Sequence, residues 1–174
     1  GVSKTVYLKS KYIYPIVDKI QFAKKFPKRA RQASTSKIII SGMRHFEAFL
    51  DTKGNYIAGK STLILINPKK HFHFHFCLGV LNSNLIKFYI YQSYSSLGID
   101  GGINFTKDMI ETLPIPIIDL KKQQPIIDLV DQILDKKKSD SNSDTSDLEH
   151  QIDLLVYDLY GLTDDEIAIV EGKP

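Results

Sequence analysis

A chain of 174 residues with 43% apolar residues can bury one sizeable core and carry an appendage. The lone Cys77 excludes an internal disulfide; with no charged-then-apolar leader, it predicts a reducing, cytoplasmic setting. No apolar run nears the roughly 20 residues that a membrane helix needs, so no membrane partner is expected.

The formal charge of +3 hides two halves of opposite sign. Residues 1–100 hold 16 Lys and Arg, including every arginine, against 4 Asp and Glu; residues 101–174 hold 7 against 16. A front half this basic predicts a polyanionic partner, of which nucleic acid is the commonest. Opening at Gly1-Val2-Ser3-Lys4 without an initiator Met, the sequence reads as a piece of something longer.

In chain order, residues 7–20 mix aromatic, β-branched and Lys positions around Pro15 and read as short edge strands or extended segments. Residues 22–36 carry Lys24, Lys25, Lys28, Arg29 and Arg31, then Ala33-Ser34-Thr35-Ser36, and predict a solvated loop or short helix. Lys37-Ile38-Ile39-Ile40 is a buried strand ending at the turn-forming Ser41-Gly42. Residues 46–50 and 56–58 flank Asp51-Thr52-Lys53-Gly54-Asn55 and read as a hairpin, because Gly and Asn accept the positive φ of a tight turn. Residues 61–66 form another strand, stopped by Asn67-Pro68. Leu78, Leu81, Leu85, Phe88 and Ile90 fall near helical spacing with Asn82-Ser83-Asn84 as a break, which predicts two short helices. A mobile, Gly-bearing loop over residues 93–104 follows, and Leu113-Pro114-Ile115-Pro116 forces an extended exit.

Beyond that exit the period becomes helical. Ile126, Ile127, Val130, Ile133 and Leu134 make one stripe, with Pro125 in the first turn and Lys136, Lys137 and Lys138 in the last. A second helix starts at the capping box Ser146-Asp147-Leu148-Glu149 and ends at Gly161; Thr163-Asp164-Asp165-Glu166 caps a short third through Val170. The fold class is therefore α+β: a small, basic, mixed or antiparallel-sheet domain over residues 1–116, then an acidic, antiparallel two-helix arm over residues 117–174.

Leu113-Pro114-Ile115-Pro116, Gln123-Gln124-Pro125-Ile126-Ile127 and Asp153-Leu154-Leu155-Val156-Tyr157-Asp158-Leu159-Tyr160-Gly161-Leu162-Thr163 resemble the end of the TaqI-like C-terminal specificity domain. Lys37-Ile38-Ile39, the turn over residues 51–54, Lys60-Ser61-Thr62 and Leu81-Asn82-Ser83 resemble words of the same family, so the likeness spans roughly residues 12–172. The resemblance implies a target recognition domain of adenine-specific DNA methyltransferases and single-chain restriction-modification enzymes, with a helical appendage packed on a partner domain. Specificity subunits of type I restriction systems share a similar exit and paired helices.

A duplex-reading domain needs cations for phosphates and forked or amide side chains for base edges. Lys28, Arg29, Arg31 and Lys60 are the phosphate-side candidates, and Arg44, behind Gly42-Met43, is the first candidate for a base contact. Ser96, Asp100 and Asn104 are candidates within the loop over residues 93–104. Each has a plainer reading as a solvated surface residue or a connector. His71-Phe72-His73-Phe74-His75-Phe76 would place three imidazoles on one face of a strand at about 7 Å spacing. No Cys or carboxylate accompanies them at ligand spacing, and an incidental role is favoured over a metal site.

Methyl transfer has no home in this chain. Asn67-Pro68-Lys69-Lys70 lacks the second Pro and the aromatic of an amino-methyltransferase motif, and no glycine-rich strand-to-helix turn is present. Asp51-Thr52-Lys53 mimics part of a nuclease centre but reads as a turn. The leading expectation is thus a non-catalytic, sequence-specific recognition domain that positions duplex DNA for adenine N6 methylation by an upstream methyltransferase domain of the same polypeptide. It needs no cofactor itself; the parent would use S-adenosylmethionine, with Mg for any cleavage. Whether the parent cuts is left open. The alternatives are a protein-interaction module that uses the helical arm for dimerisation or partner docking, and a metal-dependent enzyme at the histidines.

Overall fold

The protein is described here by a computed structural model, which covers residues 18–59, 61–66, 71–94 and 103–172. The expectation of extended structure for residues 7–20 lies outside them as far as residue 17, and at its end Lys19 and Ile20 are helical instead, because the Asp18 carboxylate caps a helix there. The basic stretch is helical: α1 (Lys19–Lys25) is capped by the Asp18 carboxylate, and α2 (Pro27–Ala33) follows after a break at Phe26. The break has a covalent cause. Pro27 pushes Phe26 out of the helical region, to φ −134° and ψ 65°, and then starts the next helix, where its missing N–H costs nothing.

β1 (Lys37–Ser41) forms the centre of an antiparallel sheet between β3 (Ala48–Asp51) and β4 (Thr62–Leu65). Between β1 and β3 the chain makes an excursion through β2 (Met43–Arg44), which pairs instead with β5 (Ile103–Asn104) as a separate two-stranded ribbon. The expected hairpin of residues 46–50 with 56–58 does not form. Residues 48–51 pair with β1, in the register Lys37 to Asp51 and Ile40 to Ala48. The Asp51 carboxylate accepts the Asn55 and Tyr56 N–H groups at 2.9 and 3.0 Å, taking up backbone donors that a returning strand would need.

Strand alternation gives the sheet two covered faces. Ile38, Ile40, Ala48 and Leu50 enter the main core, joined by Leu63 and Leu65. Lys37, Ile39, Phe49 and Asp51 are buried on the other side, where Tyr56 meets Phe49 edge-on with ring centroids 5.7 Å apart. There the Lys37 ammonium, 0% exposed, lies 2.5 Å from Asp51 Oδ2 and also donates to the Ala33 and Thr35 carbonyls, at 2.7 and 3.3 Å. One buried cation thus joins the end of α2, β1, β3 and the following turn. Gly54, at φ +64°, closes that turn so tightly that a Cβ would sit 2.4 Å from the Ser34 backbone.

α3 (Phe74–Asn82) lies across the main face, and every residue from Phe76 to Asn82 is buried. α4 (Asn84–Tyr94) follows after Ser83, as the break at Asn82-Ser83-Asn84 predicts. At the edge of β3 the Asn82 carboxamide takes the part of a missing strand, accepting from the Ala48 N–H and donating to the Ala48 C=O, both at 2.9 Å. α5 (Lys107–Glu111) precedes the extended exit.

α6 (Leu120–Ser139) and α7 (Ser146–Tyr160) pack on each other and both on α3. Gly79 marks the crossing. A Cβ there would come within 2.7 Å of Ile126 and 3.1 Å of Val130, so glycine is what lets α6 approach so closely. Ile126, Ile127, Val130 and Ile133 line the buried stripe, as their spacing predicts. Pro125 falls inside α6 rather than in its first turn, because Asp119 caps the helix earlier, accepting from the Lys122 N–H at 2.9 Å. The Ser146 capping box is also displaced. Asp144 takes the Ser146 N–H and hydroxyl, Thr145 becomes the cap residue, and Glu149 bonds the Thr145 hydroxyl at 2.6 Å. α8 (Asp164–Val170) starts and ends where Thr163 and Val170 predict, with its capping box formed.

Polar side chains stitch the helical tail to the front half. Gln123, 0% exposed, accepts from the His73 N–H at 2.9 Å and donates to the His71 carbonyl. Asp153 accepts from the Asn84 N–H at 2.7 Å, and the Tyr160 hydroxyl donates to the Pro114 carbonyl at 2.9 Å. Burial pushes the Asp153 carboxyl above its ordinary value and the Tyr160 hydroxyl up to about 12.

Burial also pushes the Asp51 carboxyl upward, but bonds from Lys37, Asn55 and Tyr56 outweigh it and hold the group below its ordinary 3.8. A depressed carboxyl contributes stability that is complete above that value and is lost as pH falls through the lower folded one. Chemical denaturation against pH should therefore show a larger acid loss in the wild type than in Asp51→Asn. At neutral pH Lys37→Met should cost about 3–5 kcal/mol, because it strands a buried carboxylate.

Candidate nucleic-acid interface

Two surface features bring the candidate DNA-contacting residues into groups. The first is the α1–α2 pair. Neither helix has a buried residue, and Lys19, Lys24, Lys25, Lys28, Arg29 and Arg31 are all exposed. Asp18 is the one acidic residue in residues 18–33, and its oxygen is used as the cap of α1. Lys28 and Arg31 form no ion pair within the described residues, so their charge faces solvent. Arg29 is partly committed. Its Nη2 donates to the Ala58 carbonyl at 3.0 Å, and its guanidinium sits 6.0 Å from the ring centroids of both Phe22 and Phe26. It fixes the direction of α2 while remaining exposed.

The second feature is the β2–β5 ribbon. Gly42 is its hinge point with the sheet: its N–H donates to the Ser61 carbonyl at 3.0 Å, and its carbonyl accepts from the Phe105 N–H at 2.9 Å. A Cβ on Gly42 would lie 2.7 Å from the Ser61 oxygen, which explains a glycine where the sequence suggests a turn. Met43 lies opposite Asn104 and Arg44 opposite Ile103. The ladder therefore puts two candidates far apart in sequence, Arg44 and Asn104, on one ribbon, at positions that do not pair with each other. Phe46 and Phe105 support it from below, edge-on at 5.3 Å. α2 joins the sheet at the Lys37 end of β1 and the ribbon leaves from the Ser41 end, so the two attachment points are the length of β1 apart, about 13 Å.

Lys60, Ser96 and Asp100 lie outside the described residues. Ser41 and Met43 are participants that the sequence does not flag. The Ser41 hydroxyl donates to the Met43 carbonyl at 3.0 Å and faces its N–H at 3.4 Å, pinning β2, while Met43 stands 48% exposed. Nothing in the local pattern separates Ser41 from any strand-ending serine.

The histidines do not share a strand face, because α3 begins at Phe74 with His73 as its cap. His73 Nδ1 accepts from the His75 N–H at 3.2 Å, and His75 Nδ1 lies 2.5 Å from Asp131 Oδ1 on α6. Burial, then the neighbouring His75, holds His73 below its ordinary value. Among the described residues no group of three or more His, Cys, Asp or Glu side chains could hold a metal ion. The buried Cys77 thiol is pushed up to about 11 by its surroundings, far from a reactive thiolate.

An α+β scaffold that carries a cationic helix pair and an exposed ribbon beside a small sheet suits a specificity domain. Residues 2–115, about two thirds of the chain, match the TaqI-like C-terminal specificity domain, and the chain belongs to that family. The family has a DNA-specificity role in restriction-modification enzymes. The match ends at Ile115, ahead of α6, so the words of residues 123–127 and 153–163 lie beyond it. No curated protein matches the chain. No helix among the described residues is long and apolar enough to cross a membrane.

Arg29→Ala should lower stability by about 1 kcal/mol, through loss of one hydrogen bond and an exposed cation–aromatic contact. Lys28→Ala, one position away with no such partner among the described residues, should stay within about 0.5 kcal/mol of wild type. Urea denaturation of the two variants side by side checks the distinction.

Proposed function

We propose that this chain is the target recognition part of a restriction-modification enzyme. Residues 1–116 grip and read duplex DNA, and residues 117–174 hold that reader against an upstream methyltransferase domain. Membership of the specificity-domain family carries the reading. The exposed cations of α1–α2, of which Lys28 and Arg31 form no ion pair among the described residues, support it as a phosphate-gripping surface. A two-stranded ribbon is of a size that the major groove admits, and Arg44 and Asn104 sit in one. Lys60 adds a phosphate contact, and Ser96 and Asp100 are proposed base contacts from the residues that precede β5 in sequence.

The chain supplies binding and orientation only; S-adenosylmethionine, and Mg for any cleavage, belong to the partner domain. By holding the duplex in register, the reader lets that domain take an adenine out of the stack for N6 methylation. Ile117, Leu120, Leu154 and Ile169 are exposed on the helical tail and give it apolar surface for docking. The acidic charge of the tail keeps it off the phosphates.

Binding to duplex DNA at several salt concentrations tests this reading. Lys28→Ala should weaken all sequences alike and reduce the slope of log K against log salt by about 0.9. Arg44→Ala should instead relax preference at one base pair, by about 1–3 kcal/mol. Affinity that ignores salt would support the rival reading, a protein-interaction module built on the helical tail.

A further inference from the structure

Met43 and Asn104 are directly opposite each other on the ribbon. The carbonyl of the preceding Gly42 accepts from Phe105, while the N–H and C=O of Met43 turn away to the Ser41 hydroxyl, at 3.4 and 3.0 Å. That alternation makes Met43 and Asn104 a non-hydrogen-bonded pair, in which opposed Cα atoms stand about 4.5 Å apart and side chains share one face at closest approach. Both side chains are exposed, Met43 at 48%. Their neighbours on the other face, Ile103 and Phe105, are buried and hold the ribbon down. Among the described residues the Asn104 carboxamide makes no hydrogen bond.

An exposed amide beside an exposed thioether chain on a clamped ribbon offers a partner one hydrogen-bonding group and one apolar group at a fixed spacing. A carboxamide matches adenine in the major groove, accepting from N6 and donating to N7, and an apolar chain matches the C5-methyl of thymine. One A·T pair, or two adjoining ones, presents both groups side by side. We infer that Met43 and Asn104 together form the reading head for adenine and thymine in the recognised sequence, with Asn104 on the adenine Hoogsteen edge and Met43 on a thymine methyl. This rests on the proposed reading of duplex DNA and adds to it the base-pair type and the two residues responsible.

The test uses the full chain and duplexes drawn from a randomised pool by repeated selection for binding. At the position read by Asn104, 7-deazaadenine removes N7 and should weaken the wild type about tenfold while leaving Asn104→Ala unchanged. Replacing thymine by uracil removes the methyl group and should weaken the wild type about threefold while leaving Met43→Ala unchanged. Met43→Leu should keep the uracil penalty, and circular dichroism should show all variants folded. A selected sequence whose A·T positions respond equally in wild type and both variants overturns this inference while leaving the recognition reading in place. A pool that yields no preferred sequence, with binding indifferent to salt, overturns both.

Discussion

The contact on which the recognition surface depends is the buried pair of Lys37 and Asp51. A lysine with no exposed surface is stable there only because its ammonium is fully used, by a carboxylate, by the Ala33 carbonyl that ends α2 and by the Thr35 carbonyl just beyond it. The helices carrying the free cations bury nothing themselves, so apolar packing cannot fix their position. The ion pair below and the Arg29 bond to Ala58 do so. A charge taken out of the basic half thus holds the remaining charges where they face outward.

At the other end of β1 the constraint is steric. Gly42 passes between Ser61 and Phe105 with no room for a side chain, and this close passage lets one strand leave the sheet and pair elsewhere. The same device recurs at Gly79, where α6 lies against α3. Through α3 the sheet and the helical tail share one continuous apolar cluster, from Ile38 and Leu50 to Ile152 and Val156. Movement of the tail relative to the sheet would have to break that cluster and the Gln123, Asp153 and Tyr160 bonds.

Much of this was legible in the sequence wherever pattern and burial agree. β1, the α3–α4 break, the α6 stripe and α8 follow from spacing and caps alone. The misreadings share a cause: a side chain captured a backbone group from a distance that periodicity does not register. Asp51 took the donors of residues 55 and 56 and so cancelled a hairpin; Asp144 displaced the Ser146 box; Asp119 started α6 early and left Pro125 inside it. The site was half legible. Composition pointed to the cations of α2 and to Arg44, but the pairing of residues 43–44 with 103–104 joins segments some 60 residues apart and depends on tertiary folding. Met43, an ordinary apolar residue in sequence, matters only because it is held in the open.

Amide hydrogen exchange with and without duplex DNA tests the central claim most directly, that the front half is the DNA surface and the helical tail is not. The account predicts slowed exchange over residues 19–33 and in the ribbon, residues 41–46 and 103–105, with α7 and α8 unchanged. Protection confined to α6–α8, with the basic helices exchanging as in free protein, would contradict it.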